Sequence, residues 1–301
     1  MKHLVPQEVG NVYFSKANTI YLYAAIVPIV FIDSNRITMS LIAVNILLLV
    51  LTVCIGHSIG LHRGIIHKTY KTSKIFQNIL LYLFVLTGLG SPKNWIKMHY
   101  YRDFWQNRKD CPKYFKYNHT ILLDFYWNLH TSFVPKDEIL YEIPNTDLSD
   151  IFIKFLHKTW IFHILFWFIL LLLTTNSNTA LFIINFRIAI TIVGHWFIGY
   201  VSHKYGYAHY EIEHADESAY NNLILGYLSF GEGFHNNHHA FPKSAKLGLK
   251  WYEFDLGWYI ILFFNKINLI QNVQQSIKKE TAKEIKLKYN FLSNYELELF
   301  I

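Results

Sequence analysis

The chain has only two cysteines, Cys54 in an apolar run and Cys111 in a polar one, so no disulfide framework is expected. Charge is scarce as well. Asp, Glu, Lys and Arg make up 16% of the 301 residues, against 52% hydrophobic and 18% aromatic. That balance excludes an ordinary soluble composition and points to a membrane protein. Lys+Arg outnumber Asp+Glu by 28 to 21, yet no compact basic motif with interleaved aromatics is present, so a nucleic-acid partner is not expected. Anionic lipid headgroups or an acidic protein partner account better for the excess. The opening stretch MKHLVPQEVGNVYFSKANT holds no apolar core followed by a small-residue cleavage site, and no cleaved signal peptide is expected. Internal repeats, low-complexity tracts, linkers and fused haem or flavin motifs are also missing.

What is abundant is apolar sequence, gathered in five runs at about 19–32, 37–56, 75–90, 159–173 and 179–201. A bilayer span needs roughly 20 apolar residues. The second and fifth runs meet that need, and the first and fourth reach it with flanking residues. The third is short, with Gln77 and Asn78 near its start and Gly88 and Gly90 at its end. Of the basic residues, all but Lys2, Lys16, Arg36 and Arg187 fall in segments 62–158 and 202–301. The positive-inside rule places both segments in the cytoplasm. The expectation is an all-α polytopic membrane protein, one domain over 1–301, with four transmembrane helices near 16–33, 37–57, 158–175 and 179–201. A cytoplasmic helical cap is built from 59–158 and 202–301, both termini are cytoplasmic, and the third run lies at the interface without crossing. The Lys/Glu-rich tail after about Lys278 reads as a solvated helix.

The cap carries chemistry. Among 16 histidines, His62 and His67 follow the second run, His99 lies in SPKNWIKMHYYRDFWQN, and His203 follows the fifth run. FGEGFHNNHHAFP, residues 230–242, adds His235, His238 and His239. On a helix that last trio is related as i, i+3 and i+4, so its imidazoles share one face. His62 and His67 lie five apart, about 140° round an ideal helix, which suits a helix end where the chain turns inward. In the four-span topology all seven are on one membrane face. Imidazole is a ligand for iron, zinc and copper, and a nitrogen-rich site without thiolate suits redox-active iron with open positions for oxygen.

HRGIIH, residues 62–67, resembles the first histidine box of the membrane fatty acid desaturases, and FGEGFHNNHHAFP resembles their third box almost letter for letter. GSPKNW before His99, VSHKYG around His203 and KWYEFDLGWYII (250–261) are similar to the acyl-coenzyme A desaturase branch. The resemblance runs from about 20 to 275. It implies two iron ions held by histidines, dioxygen as co-substrate, an external electron carrier, and removal of two hydrogens from an acyl chain borne by coenzyme A, a carrier protein or a lipid. Carried over by position, it implies ligands at His62, His67, His99, His203, His235, His238 and His239. The second box departs from the pattern: Arg102 and Asp103 stand where two histidines belong. Gly199 stands where the family usually has an asparagine.

Asp103 is four residues after His99, one helical turn along, and is taken as an eighth ligand, because carboxylates join histidines in non-haem iron sites. Arg102 has no lone pair to offer. It turns away or binds an anion. If Asp103 and Arg102 only solvate the cap, one metal remains. His57 is weighed as an extra ligand, and His195 as a substitute for the missing asparagine or a buried, hydrogen-bonded histidine. Glu232 is a candidate acceptor for a ligand N–H. Arg187 is expected to pair or snorkel without doing chemistry, and Trp95, Trp251 and Trp258 to pack or anchor. The function expected is an iron-dependent, oxygen-using fatty acyl desaturase. A hydroxylase on the same scaffold and a degenerate, non-enzymatic membrane protein are the rivals.

Overall fold

A computed structural model describes every residue except 1, 2, 8, 214, 216, 276, 277, 280 and 286–301. The described chain is mostly helical, and three helices are long and apolar enough to cross a membrane: Met39–Ile66, Ile151–Thr174 and Ser177–Ser202. The first apolar run is a shorter apolar helix, Lys16–Phe31. It tightens into a 3-10 turn at Val27–Phe31, where Pro28 withholds its N–H.

In chain order we name Lys16–Ile26 α1, Met39–Ile66 α2, Lys74–Val85 α3, Pro92–Gln106 α4, Ile121–His130 α5, Ile151–Thr174 α6, Ser177–Ser202 α7, Leu223–Leu228 α8, His235–Ala240 α9 and Leu256–Lys266 α10. Polar caps start most of them. Ser15, Thr38, Ser73, Ser91, Thr120, Asp150, Asn176, Asn222 and Asp255 each accept a backbone N–H of the first turn, an interaction worth about 1 kcal/mol apiece.

The short third run forms α3, which lies along α2. Glycines on α2 permit the approach: a Cβ on Gly56 would stand 2.5 Å from the Leu83 and Phe84 backbone. The far end of α3 is closed from other helices. Arg187 Nη1 of α7 donates to the Leu86 carbonyl at 2.7 Å, and Tyr21 Oη of α1 donates to the Gly88 carbonyl at 2.8 Å. Carbonyls left free by a helix end need such partners. Arg187 is buried and bonds further to Ile183 O and Thr52 Oγ1. It is a structural cation and does not reach the surface.

The expected all-α cap contains small antiparallel sheets. Gly10–Phe14 pairs with His3–Gln7 on one side and Thr131–Pro135 on the other. Lys71–Thr72 pairs with Ile270–Gln271, and Tyr210–Ile212 with Ala282–Glu284. All but the first of these pairs tie distant stretches of chain together. The last of them corrects the expected helical tail, because backbone pairing with Tyr210–Ile212 draws Ala282–Glu284 into a strand. The rest of the tail lies outside the described residues.

Candidate metal centre

The second half of α2, Val50–Ile66, is wound with wide i→i+5 turns. The His67 N–H accordingly donates to the His62 carbonyl at 3.0 Å. An ideal α-helix would splay these two histidines about 140° apart. In the wide turn they come onto one face, with ring centroids 4.8 Å apart. The four residues between them are the ones a widened turn requires. His99 comes from the middle of α4, His203 caps the end of α7, and α9 supplies His235, His238 and His239.

These side chains form two groups. His62, His67, His99 and His238 offer ligand atoms that all lie within 4.8 Å of one another, and so do His203, His235 and His239. In the first group, His67–His238 and His62–His238 ring centroids are 4.6 and 4.7 Å apart. In the second, His235 Nε2 is 3.1 Å from both His203 Nε2 and His239 Nε2. His238 and His239 are successive residues of α9 whose rings, 5.9 Å apart, belong to different groups.

The donor chemistry fits a cation. His67 Nε2 and His238 Nδ1 are buried with no hydrogen-bond partner, and a buried unpaired nitrogen in a native fold calls for a partner. Burial, reinforced by neighbouring imidazoles, pushes His67, His203, His238 and His239 well below the usual histidine range and His235 down to about 4. The rings are therefore neutral, with lone pairs free for a metal.

Glu232 stands beside the first group, with Oε2 2.8 Å from His62 Nδ1 and Oε1 accepting from Ser58 Oγ. This is the role expected of it. Burial alone would raise its carboxyl, but His62 and Arg63 hold it well below the carboxylate range. Arg63, fully buried, reaches Asp255 through both guanidinium nitrogens at 3.0 and 3.1 Å and donates to Ala245 O. Gly231 packs directly on that pair. Its φ is +107°, and a Cβ there would meet Asp255 Oδ1 at 2.4 Å, so both glycine's freedom and its missing side chain are used.

Asp103 lies by the first group. Its Oδ2 is 3.3 Å from His99 Nδ1 and 4.0 Å from His67 Nε2, and those two histidines keep it ionised against the opposing effect of burial. Arg102 turns away from the first group, and its Nη1 donates to Tyr117 Oη at 2.7 Å and its Nη2 to Asn128 Oδ1. His57 and His195 belong to neither group among the described residues. They face each other at 4.9 Å, each edge-on to Trp95, and His57 Nε2 has no hydrogen-bond partner. Trp95 and Trp258 pack in the interior, while Trp251 is 95% exposed.

The supports of α9 escaped the sequence reading. Asn236 Oδ1 accepts the N–H groups of His209 and Tyr210, and its Nδ2 donates to Tyr210 O. Asn237 Nδ2 donates to Glu253 Oε2 at 2.8 Å and to Leu247 O at 2.9 Å. Glu253 also receives the Leu249 and Lys250 N–H groups, Tyr207 Oη and His209 Nε2. The paired asparagines inside HNNHH were the available signal, since polar residues facing a core must bond something.

Residues 40–262 match the fatty acid desaturase family. Among curated proteins, the chain is 30% identical over 254 residues to the sn-1 stearoyl-lipid 9-desaturase of Anabaena variabilis, covering 83% of this chain and 89% of that protein. It is 28% identical over 237 residues to the icosanoyl-CoA 5-desaturase of Limnanthes douglasii, covering 76% and 64%. It is 29% identical over 238 residues to the Delta-9 desaturase-like 2 protein of Arabidopsis thaliana, covering 76% and 75%.

Proposed function

Because this chain belongs to the fatty acid desaturase family and is a fatty acyl desaturase, an oxidoreductase of lipid metabolism, we propose that it works with two iron ions, one in each histidine group. The observation that carries this reading is the convergence of seven buried or half-buried histidines into two sets of mutually close nitrogens. His62, His67, His99 and His238 hold one ion, with Asp103 beside them as a further ligand. His203, His235 and His239 hold the other. Hydrogen abstraction from an unactivated acyl chain is chemistry that bound iron and dioxygen supply and side chains cannot. The chain's own contribution is placement. Glu232 fixes the His62 ring, Asn236 and Asn237 fix α9, and the apolar helices exclude water.

The substrate is an acyl chain on coenzyme A, a carrier protein or a lipid, since relatives of both acyl-CoA and acyl-lipid kinds match. Electrons come from an external carrier drawn to the basic cytoplasmic face. The protein spans the membrane four times, Lys16–Phe31 serving as the first span, with the metal centre and both termini cytoplasmic. The topology is checked with cysteine-accessibility tags at residues 70, 125 and 285, which should all label from the cytoplasmic side. Opposite labelling of 70 and 125 would break the shared site.

Fatty-acid profiles of host cells with and without the chain test the activity. New, oxygen-dependent double bonds and iron in the purified protein are expected. Hydroxylated chains in their place would assign a hydroxylase on the same scaffold. Unchanged lipids and no iron would leave a non-enzymatic scaffold.

A further inference from the structure

We propose that the two histidine groups hold metal unequally, the four-histidine group tightly and the three-histidine group weakly and exchangeably, with Arg102 setting the difference. The proposal rests on the reading of both groups as metal sites. The first ground is the donor count, four imidazoles against three.

The second ground is charge. Arg102 and Asp103 are neighbours on α4, about 100° apart round the helix, and their nearest contacts run toward opposite groups. The Asp103 carboxylate lies 3.3 Å from His99 Nδ1, on the four-histidine side. The Arg102 guanidinium binds Tyr117 Oη at 2.7 Å, and the Tyr117 ring lies parallel to that of His203 with centroids 4.4 Å apart. One phenol ring thus separates a permanent cation from a histidine of the smaller group. Arginine neither loses its proton nor lends a lone pair.

The third ground is rigidity. Arg102 donates to Asn128 Oδ1, and Asn128 Nδ2 donates to Asp124 O at 3.0 Å. The Asp124 carboxylate lies 2.7 Å from both His119 Nε2 and Trp196 Nε1. Its charge is already engaged by those two groups and offsets Arg102 only in part. Gly199 adds no side chain here, and a Cβ on it would stand 3.8 Å from Tyr117 Oη. Each group also has one largely buried carboxylate against a histidine Nδ1, Glu232 at 2.8 Å from His62 and Glu217 at 3.5 Å from His203. What differs between the groups is Asp103, which adds attraction for a divalent ion in the four-histidine group, and Arg102, which adds repulsion in the three-histidine group. At an effective dielectric of about 20, a unit charge even about 8 Å from a divalent ion changes its binding constant by more than tenfold.

The test is titration of the purified, metal-stripped full chain with Co²⁺, read by its visible absorption and by chelator competition. Two classes are expected, one ion tight and one at least about tenfold weaker. Arg102→Gln, which keeps hydrogen bonding and removes the charge, should tighten the weak class alone by about tenfold or more. Arg102→Lys, which keeps the charge, should leave that class weak. His203→Ala should lose the weak class and His238→Ala the tight one. Equal affinities in the parent, or the same weak class in the Gln and Lys variants, would overturn the proposal. If neither histidine variant loses an ion, the reading of the groups as metal sites fails instead.

Discussion

Helices α2 and α6 both have the length and apolarity of a membrane span, and they are built differently. α6 keeps regular α turns throughout, and most of its large side chains, Phe162, Phe166 and Leu173 among them, are exposed to the surroundings. α2 is regular only to Leu49. Beyond that it widens, and it ends among the buried groups His57, Ser58, His62 and Arg63. Apolar patterning says that a helix can cross a bilayer. The pitch of the helix is set by what it must bring together at its end, here two histidines five residues apart.

Substitutions should separate the two helices sharply. His62→Ala is expected to abolish double-bond formation in an expressing host, whereas Leu173→Ala on the exposed face of α6 should leave it within about twofold, since isolated surface changes cost little. Comparable losses from both would erase the distinction between a helix that serves the site and one that serves the bilayer. Asp255→Ala takes from buried Arg63 the carboxylate that binds both its terminal nitrogens and leaves only Glu232, 3.7 Å from its Nε, and the loss of stability should be about 3 kcal/mol, read from thermal unfolding in detergent.

Glu232→Gln probes orientation without removing a ligand. Metal affinity should fall about 10–100-fold while the unfolding midpoint barely moves. A large drop in that midpoint would make Glu232 part of the frame, not a guide for His62. The last contrast concerns acid. In the metal-free chain His67, His203, His238 and His239 are held well below the ordinary histidine value and His235 at about 4. The unfolded chain takes up those protons first, near pH 6.5. Their contribution is therefore fully present above about pH 6.5 and is lost as pH falls toward 4, by up to about 1.4 kcal/mol per pH unit for each group. A flat unfolding midpoint from pH 7 to about 4.5 would show that the rings are already protonated or solvated.

Much of the centre was legible because histidine is rare in apolar sequence and its spacings are chemical. All seven histidines named from the sequence fall into the two groups, and Glu232, expected to accept from a ligand N–H, stands 2.8 Å from His62 Nδ1. The third run, with Gly88 and Gly90 at its end, is the short helix α3 and is not among the three candidate spans. The helix end expected between His62 and His67 is there, at Ile66, but the 140° separation assumed a regular helix and the backbone changed pitch before it. The strand at Ala282–Glu284 was hidden because its partner, Tyr210–Ile212, lies far away in the chain, and charged side chains on an edge strand look like those of a solvated helix. The Asn237–Glu253 contact was equally invisible, since asparagine beside a helix start reads as a local cap until a distant carboxylate is placed against it.

Arg187 has a consequence for how the protein is made. It sits near the middle of Ser177–Ser202, where an arginine raises the cost of handing a segment from the translocon to lipid by roughly 2.5–3.5 kcal/mol. Its compensating acceptors, Leu86 O and Thr52 Oγ1, belong to chain synthesised much earlier. Ser177–Ser202, the last of the candidate spans, is therefore a poor solitary passenger and a good late arrival. Its arginine is satisfied only where Thr52 and Leu86 are already in place, so the order of synthesis suits the order of assembly.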